Sequence, residues 1–267
     1  MTRASAILRY CLPLATLLST SAPGSPREKT IILPDQQPYF QGSYGAYASP
    51  WSIFFDKTLQ QGVDYADSIT IRPTTFPNGT IIDTRWPESP PTKTGVWGYH
   101  ALSYGNYDGG KPPRAVVPRQ VKDIAALRET FDFSWSGSAR FNLLNEFYLT
   151  SAAGRSDAKV VEIGFLLHAP ASSVDFVNAG TFIGNFREAN GRMWTINRTR
   201  NYITIMPVDA QDCLRDRINI KVVLDFLVRK KVLTGLEWFN GIAFGTEPTS
   251  GAGTTRIAVN HWDVEYR

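Results

Sequence analysis

Short runs of β-branched, aromatic and alternating residues recur along this chain, and they constrain its fold more than any other feature. Turn signals such as Pro77-Asn78-Gly79 separate these runs. The runs cover residues 68–72, 80–84, 95–104, 131–135, 141–150, 160–168, 192–197, 202–206, 238–244 and 256–266. Many short strands joined by turns are typical of a β-sandwich or barrel. The sequence therefore predicts an all-β core.

One segment departs from this rhythm and has helical periodicity. Apolar residues recur at i, i+3, i+4, i+7 and i+8, which is the spacing of one helix face. They are Ile220, Val223, Leu224, Leu227 and Val228. We expect one amphipathic helix at about residues 219–233, packed on a sheet. Many strands and a single helix predict a β-jelly roll sandwich of two antiparallel sheets.

The first residues have the layout of a secretory signal peptide. Arg3 and Arg9 form a positively charged region ahead of a short apolar stretch at residues 11–18, and small residues follow at 19–22. We expect a signal peptide at 1–22 and a secreted protein, extracellular or periplasmic. Proline at 13 and at 23 favours the alternative, a disordered tail. Residues 23–38 read as a Pro-rich arm, and 39–267 as a single domain.

Charge and cysteine content exclude several classes of protein. The net charge of +4 comes without a basic stripe, which argues against nucleic-acid binding. After loss of Cys11 with the signal peptide, only Cys213 is left, so an internal disulfide is impossible. The three histidines are far apart, and nucleotide-binding and serine-hydrolase motifs are absent. We therefore expect no metal and no cofactor, and no membrane contact after signal cleavage.

Two glutamates lie within strand-like runs. In residues 160–167 the odd positions from 161 are all apolar, which puts Glu162 on the other face. In 238–247, Glu247 shares a face with Gly241, Ala243 and Gly245, which leave room beside it. A carboxylate in an apolar strand is costly unless its face opens to a cleft. The pattern alone leaves two interpretations, a cleft residue or an exposed acidic residue.

The segments around these glutamates resemble glycoside hydrolase family 12, retaining endoglucanases and xyloglucanases with a β-jelly roll fold. Residues 161–167 (VEIGFLL) are similar to the nucleophile strand Y-E-[IL]-M-I-W-L, and 244–251 (FGTEPTSG) to the acid/base motif [AF]-G-T-E-P-F-x-G. Residues 133–140 (FSWSGSAR) and 147–151 (FYLTS) are similar to W-S-Y-S-G-S-N and to the D-L-F-T-S strand end. The blocks keep the family's order over about 95–267.

The resemblance implies a function and a set of site residues. Glu162 would be the nucleophile and Glu247 the general acid/base of a monomeric enzyme that cleaves β-glucan without a cofactor. Trp51, Trp86 and His100 are the candidates for substrate binding. For each tryptophan a core position is the alternative, and for His100 a structural role.

The chain also departs from the family pattern. Gly164 and Leu166 stand where the family has Met and Trp on the substrate face, and Thr249 replaces a Phe. The family's helper aspartate aligns without gaps to Phe147, while Glu146, one residue earlier, would face the opposite side unless a bulge re-aims it. Two alternatives follow: a non-catalytic polysaccharide-binding jelly roll, or the same machinery acting on another β-glycan such as xylan.

Overall fold

Two β-sheets packed face to face form this protein, which a computed structural model describes for residues 29–55, 58–89, 91, 93–138, 140–249 and 253–267. In chain order the strands are β1 (Ile31–Leu33), β2 (Tyr39–Gln41), β3 (Tyr44–Ser49), β4 (Ala66–Ile71), β5 (Thr80–Trp86), β6 (Tyr99–Gly105), β7 (Arg119–Gln120), β8 (Leu127–Gly137), β9 (Phe141–Thr150), β10 (Lys159–His168), β11 (Thr181–Arg187), β12 (Met193–Thr199), β13 (Tyr202–Pro207), β14 (Arg215–Ile218), β15 (Trp238–Phe239), β16 (Gly241–Pro248) and β17 (Gly253–Tyr266).

The smaller sheet has the strand order β1-β4-β5-β17-β8-β14, and the larger has the order β11-β12-β13-β10-β9-β16-β6-β3-β2 with β15 and β7 beside it. Neighbouring strands are antiparallel except β10 and β13, which are parallel. The chain leaves β10, forms a helix and the β11–β12 hairpin, and returns as β13 alongside β10. The β-jelly roll sandwich expected from the sequence is confirmed, with this parallel pair as an addition.

Two α-helices lie within the described residues, α1 (Ala171–Asn178) and α2 (Ile220–Arg229). Helix α2 is the expected amphipathic helix and buries the apolar face that its periodicity marks. It ends earlier than expected because the chain turns at Lys231, whose φ is +59°. Helix α1 was not expected, since Val177 is its single buried side chain and the segment therefore has no clear helical period.

The N-terminal part of the sandwich begins earlier than expected. Residues 31–33, placed by the sequence in a linker arm, form β1 and pair with β4. The expected signal peptide at 1–22 lies outside the described residues. Among the residues described, no helix is long and apolar enough to cross a membrane.

The core lies between the sheets and is built by strand alternation. On β10, Ile163 and Phe165 are at most 1% exposed and point into this core, as the odd-numbered positions predict. Trp194, Phe244 and Trp262 are equally enclosed. Because the odd positions of β10 are committed to the core, its even positions lie on the opposite face.

The carboxyl group of Glu129 is buried on the core side. Glu129 on β8 is 0% exposed, and the indole nitrogen of Trp262 donates a 3.0 Å hydrogen bond to its Oε1. Burial raises the pKa of Glu129 from its usual 4.5 to about 8. Folding therefore takes up a proton at this site, and its contribution to the free energy of unfolding falls as the pH rises from about 4.5 to about 8.

We expect Glu129→Gln to raise the melting temperature at pH 8, because the amide keeps the acceptor for Trp262 and cannot ionise. The stabilisation should be about 1–3 kcal/mol at pH 8 and close to zero at pH 4. Thermal unfolding followed by circular dichroism at both pH values measures it. The exposed Glu88→Gln variant is the control. Equal melting temperatures for wild type and Glu129→Gln at pH 8 would contradict the prediction.

Candidate active site

A cleft of about 1120 Å³ lies on the face of the larger sheet that points away from the core. Glu162 on β10, Glu146 on β9 and Glu247 on β16 line it. These three strands are neighbours, with β9 in the middle. Each glutamate faces the cleft because the alternate positions of its strand are occupied by core residues.

Glu146 and Glu162 form a carboxyl pair. In the β9–β10 register Glu146 lies opposite Gly164 and Tyr148 lies opposite Glu162, so the two glutamates are diagonal neighbours on one face. Their carboxyl groups are within hydrogen-bond reach of each other. Burial raises the pKa of both, and the charges of Glu146 and Glu247 raise that of Glu162 further. Two carboxyl groups this close disfavour ionisation of both at once.

Two tyrosine hydroxyl groups donate hydrogen bonds to the carboxyl group of Glu146 and offset the cost of its burial. The hydroxyl of Tyr107 donates a 2.5 Å hydrogen bond to Glu146 Oε1, and Tyr148 also hydrogen-bonds this carboxyl group. The Tyr107 ring stacks on that of Tyr148, with centroids 5.6 Å apart. These two hydrogen bonds hold the carboxyl group of Glu146 in place beside Glu162.

Lys159 supplies the positive charge beside this pair. Its Nζ lies 3.7 Å from the centroid of the Tyr148 ring and 2.5 Å from Asp108 Oδ1. An odd-numbered residue of β10 belongs on the core side, but the register shifts between Lys159 and Val161. This β-bulge turns Lys159 towards the cleft. Its charge lowers the pKa of both Glu146 and Glu162 and so opposes the effect of burial.

Glu247 lies on the other side of β9. Asn142, directly opposite on β9, donates a 2.9 Å hydrogen bond from Nδ2 to Glu247 Oε2. Burial and then the charge of Glu146 raise the pKa of Glu247 to about 8. Glu247 therefore holds a proton at neutral pH and can donate it.

Tyr202 on β13 fills the space above Gly164. A Cβ added to Gly164 would lie 2.4 Å from the Tyr202 hydroxyl oxygen, so a side chain at this position would displace the tyrosine. The departure at Gly164 noted in the sequence thus makes room for a ring from the neighbouring strand. The Tyr202 ring borders the cleft together with the three glutamates.

The structure brings Trp51 to the cleft but not Trp86 or His100. Trp51 lies in the 3₁₀ turn after β3 and lines the cleft. Trp86 belongs to β5 of the smaller sheet, where it is 2% exposed and stacks between Tyr65 and Trp97.

His100 points away from the cleft because its neighbours Tyr99 and Ala101 on β6 point into it. It is 0% exposed, with Nε2 3.1 Å from Asp67 Oδ2. Burial lowers the pKa of His100 to about 3, so its ring is neutral. Trp86 and His100 have no surface to offer a ligand, and we do not propose them as substrate-binding residues.

Glu146 faces the cleft, whereas the sequence analysis expected it to face the opposite side, and Tyr107 and Tyr202 were not predicted as cleft residues. The gapless comparison put the helper position at Phe147, which is 0% exposed in the core. The alternation of β9 itself is the signal that could have found Glu146. Phe141, Leu143, Phe147 and Leu149 are apolar core residues, so the even positions face the cleft. Tyr107 and Tyr202 come from distant segments and left no local signal.

No family model matches the chain, and no curated protein matches it either. Solved structures do. Endoglucanase 3 of Trichoderma harzianum, from family GH12, is 16% identical over 91% of this chain and 100% of that chain, with a TM-score of 0.66. A metagenome-derived endoglucanase of glycoside hydrolase family 12 is 16% identical over 90% of this chain and 100% of that one, with a TM-score of 0.69.

A family 12 xyloglucanase of Bacillus licheniformis is likewise 16% identical over 90% of this chain and 100% of that chain, with a TM-score of 0.64. Identities this low carry the likeness of fold and not of activity. The chain has the β-jelly roll fold of these family 12 structures over most of its length.

Proposed function

We propose that this protein is a glycoside hydrolase that cleaves internal β-1,4-glucosidic bonds of β-glucans with retention of configuration. The observation that carries the proposal is the cluster of three carboxyl groups on β10, β9 and β16 at one open cleft. The similarity of residues 161–167 and 244–251 to the family 12 motifs supports it. So does the fold shared with endoglucanases and a xyloglucanase.

The chemistry takes two steps. First, protonated Glu247 donates its proton to the glycosidic oxygen while ionised Glu162 attacks the anomeric carbon, and a glycosyl ester forms as the aglycone leaves. In the second step, Glu247 takes a proton from water, whose oxygen attacks the same carbon and releases Glu162. The raised pKa of Glu247, about 8, suits the donor role at neutral pH.

Glu146 has the role of a positioning residue. Glu162 can attack only when the shared proton is on Glu146, which then donates a hydrogen bond to the nucleophile. Lys159, held by Asp108, favours ionisation in the pair because its charge offsets the missing solvation. No metal enters these steps.

An open cleft suits attack within a chain. It runs across the strands from β13 to β3, five strand spacings of about 4.8 Å each. Trp51 offers a flat apolar surface at the β3 end. We also propose that the protein is secreted, because residues 1–22 have the arrangement of a signal peptide. We propose that it is a monomer. Xylan and other β-glycans are the alternative substrates, since the same carboxyl groups would serve them.

We expect Glu162→Gln to lose activity to background and Glu247→Gln to lose about 10²–10⁴-fold on polysaccharides. Without its proton donor, the Glu247→Gln variant should keep more activity on aryl glycosides with good leaving groups. Reducing-end release from barley β-glucan, carboxymethylcellulose, xyloglucan and xylan measures this.

Glu237→Gln is the matched control, because Glu237 binds backbone amides of its own turn. Full activity of either cleft variant would refute that residue's role. A folded wild-type protein that releases nothing from all four polysaccharides would favour the non-catalytic binding module.

The anomer released first distinguishes retention from inversion. We expect the β-anomer as the initial product, because a double displacement through Glu162 inverts the anomeric carbon twice. Proton NMR of the anomeric signals during the first minutes of hydrolysis measures it. An initial α-anomer would mean a single displacement and would rule out a glycosyl ester on Glu162.

We expect Glu146→Gln to lower the pKa of both Glu162 and Glu247, because the charge of Glu146 raises both in the wild type. Carbon-13 NMR titration of labelled glutamate carboxyl groups measures the two values. Glu188→Gln serves as the control, since Glu188 is bonded to Trp194 and Asn219 outside the cleft. Unchanged titration of Glu162 in Glu146→Gln would show that the two carboxyl groups do not share a proton.

A further inference from the structure

Helix α1 forms a wall of the cleft and carries an aromatic ring that the structure leaves open. Phe176 lines the cleft and is 47% exposed, although a phenylalanine of this size is normally buried. Its neighbour Val177 is 0% exposed. The helix therefore packs Val177 against the protein and exposes the Phe176 ring to the cleft.

The helix is fixed from below. Val177 and Val174 pack in a small apolar cluster with Leu166 of β10 and Met206 of β13. Leu166 is four residues beyond Glu162 on the same strand and the same face, so α1 is seated directly on the nucleophile's strand. This packing fixes the position of Phe176 in the free protein, so the helix loses less conformational entropy when a ligand contacts the ring.

Phe176 extends the aromatic lining that begins at the carboxyl groups. Its ring centroid is 6.4 Å from that of Tyr202, with 33° between the planes. Tyr202 in turn lies over Gly164, beside the position of Glu146 on the next strand. The two rings make a surface that continues from the glutamates to the end of the cleft.

This end lies opposite Trp51. In the sheet order β13-β10-β9-β16-β6-β3, the strands of Glu162 and Glu247 are inner ones. Tyr202 lies on β13, beyond β10, while Trp51 follows β3, beyond β16. A glycan that reaches both ends therefore passes over the carboxyl groups.

We propose that Phe176, together with Tyr202, is a sugar-binding platform at the α1 end of the cleft, which binds a pyranose ring of the β-glucan several units away from Trp51. The inference rests on the proposed function and adds a specificity-determining residue to it. A flat apolar ring packs on the C–H face of a pyranose. Ser172 and Ser173 of the same helix line the cleft and provide hydroxyl groups beside the ring.

The test compares five proteins, each in the Glu162→Gln background so that bound glycan is not hydrolysed. They carry Phe176, Phe176→Ala, Phe176→Leu, Phe176→Trp or Phe182→Ala. Phe182 is a matched control because it is 61% exposed on β11, near α1, and does not line the cleft. Cellohexaose binding is measured by calorimetry, and retardation is measured in native gels containing barley β-glucan, xyloglucan or xylan.

We expect Phe176→Ala to weaken binding of the long glycan about tenfold, the loss of one ring's apolar contact. Phe176→Trp should bind as tightly as Phe176, and Phe182→Ala should be unchanged. With the active Glu162, Phe176→Ala should raise KM for the polysaccharide with little change in kcat, and should shift which bond of cellohexaose is cleaved.

Two results would overturn the proposal. Binding and cleavage pattern unchanged in Phe176→Ala, in a protein that binds and hydrolyses glycan, would remove the platform and leave the proposed function intact. If the protein with Phe176 binds none of these glycans and its active form hydrolyses none, the proposed function fails and the platform with it. Phe176→Leu, which keeps apolar bulk without a flat face, separates stacking from helix stability and should bind as weakly as Phe176→Ala.

Discussion

The cost of placing three carboxyl groups on one sheet face governs the arrangement of the cleft. Glu146 is 4% exposed, and ionised groups at that depth need a partner for every lone pair or must share a proton. The structure offsets this cost with two contacts, since Tyr107 donates a hydrogen bond to Glu146 and the carboxyl groups of Glu146 and Glu162 are within hydrogen-bond reach. Asn142 lies on β9, between the strands of Glu162 and Glu247, and donates a hydrogen bond to Glu247. Each donor lies on a strand or turn next to its carboxyl group, so the strand register that positions the glutamates also positions their hydrogen-bond partners.

Much of this arrangement could be read from the chain because strand alternation is a local signal. The apolar odd positions of β10 placed Glu162 on the face opposite the core, and the alternation around Glu247 did the same for β16. Alternation carries no signal where both faces are enclosed. On β6, His100 faces the core and Ala101 the cleft, yet both are buried, so the sequence could not tell which one a ligand would meet. On β9 the motif similarity points to Phe147, a core residue, whereas the alternation of apolar residues points to Glu146, which lines the cleft.

What could not be predicted depends on contacts between distant segments. The bulge that turns Lys159 towards Tyr148 appears only in the pairing of β10 with β9. Trp86 is the last residue of a strand of the smaller sheet, and no local pattern distinguishes that sheet from the larger one. Helix α1 is short and buries one side chain, so its stability comes from packing on Leu166 and Met206 and not from its own sequence.

Local and distant contacts also separate the centre of the cleft from its ends. The three glutamates lie on adjacent inner strands, and a shift of register by one residue in any of these strands would turn its glutamate into the core. The ends of the cleft are made by elements without that restriction: the turn that carries Trp51, and helix α1 inserted between β10 and β11. Gly164 shows how the two parts meet, because its missing side chain lets Tyr202 cover the strand of Glu162. Substitutions at the ends therefore leave the carboxyl register untouched, so the length of glycan that we propose for the cleft can change without any change in the three glutamates.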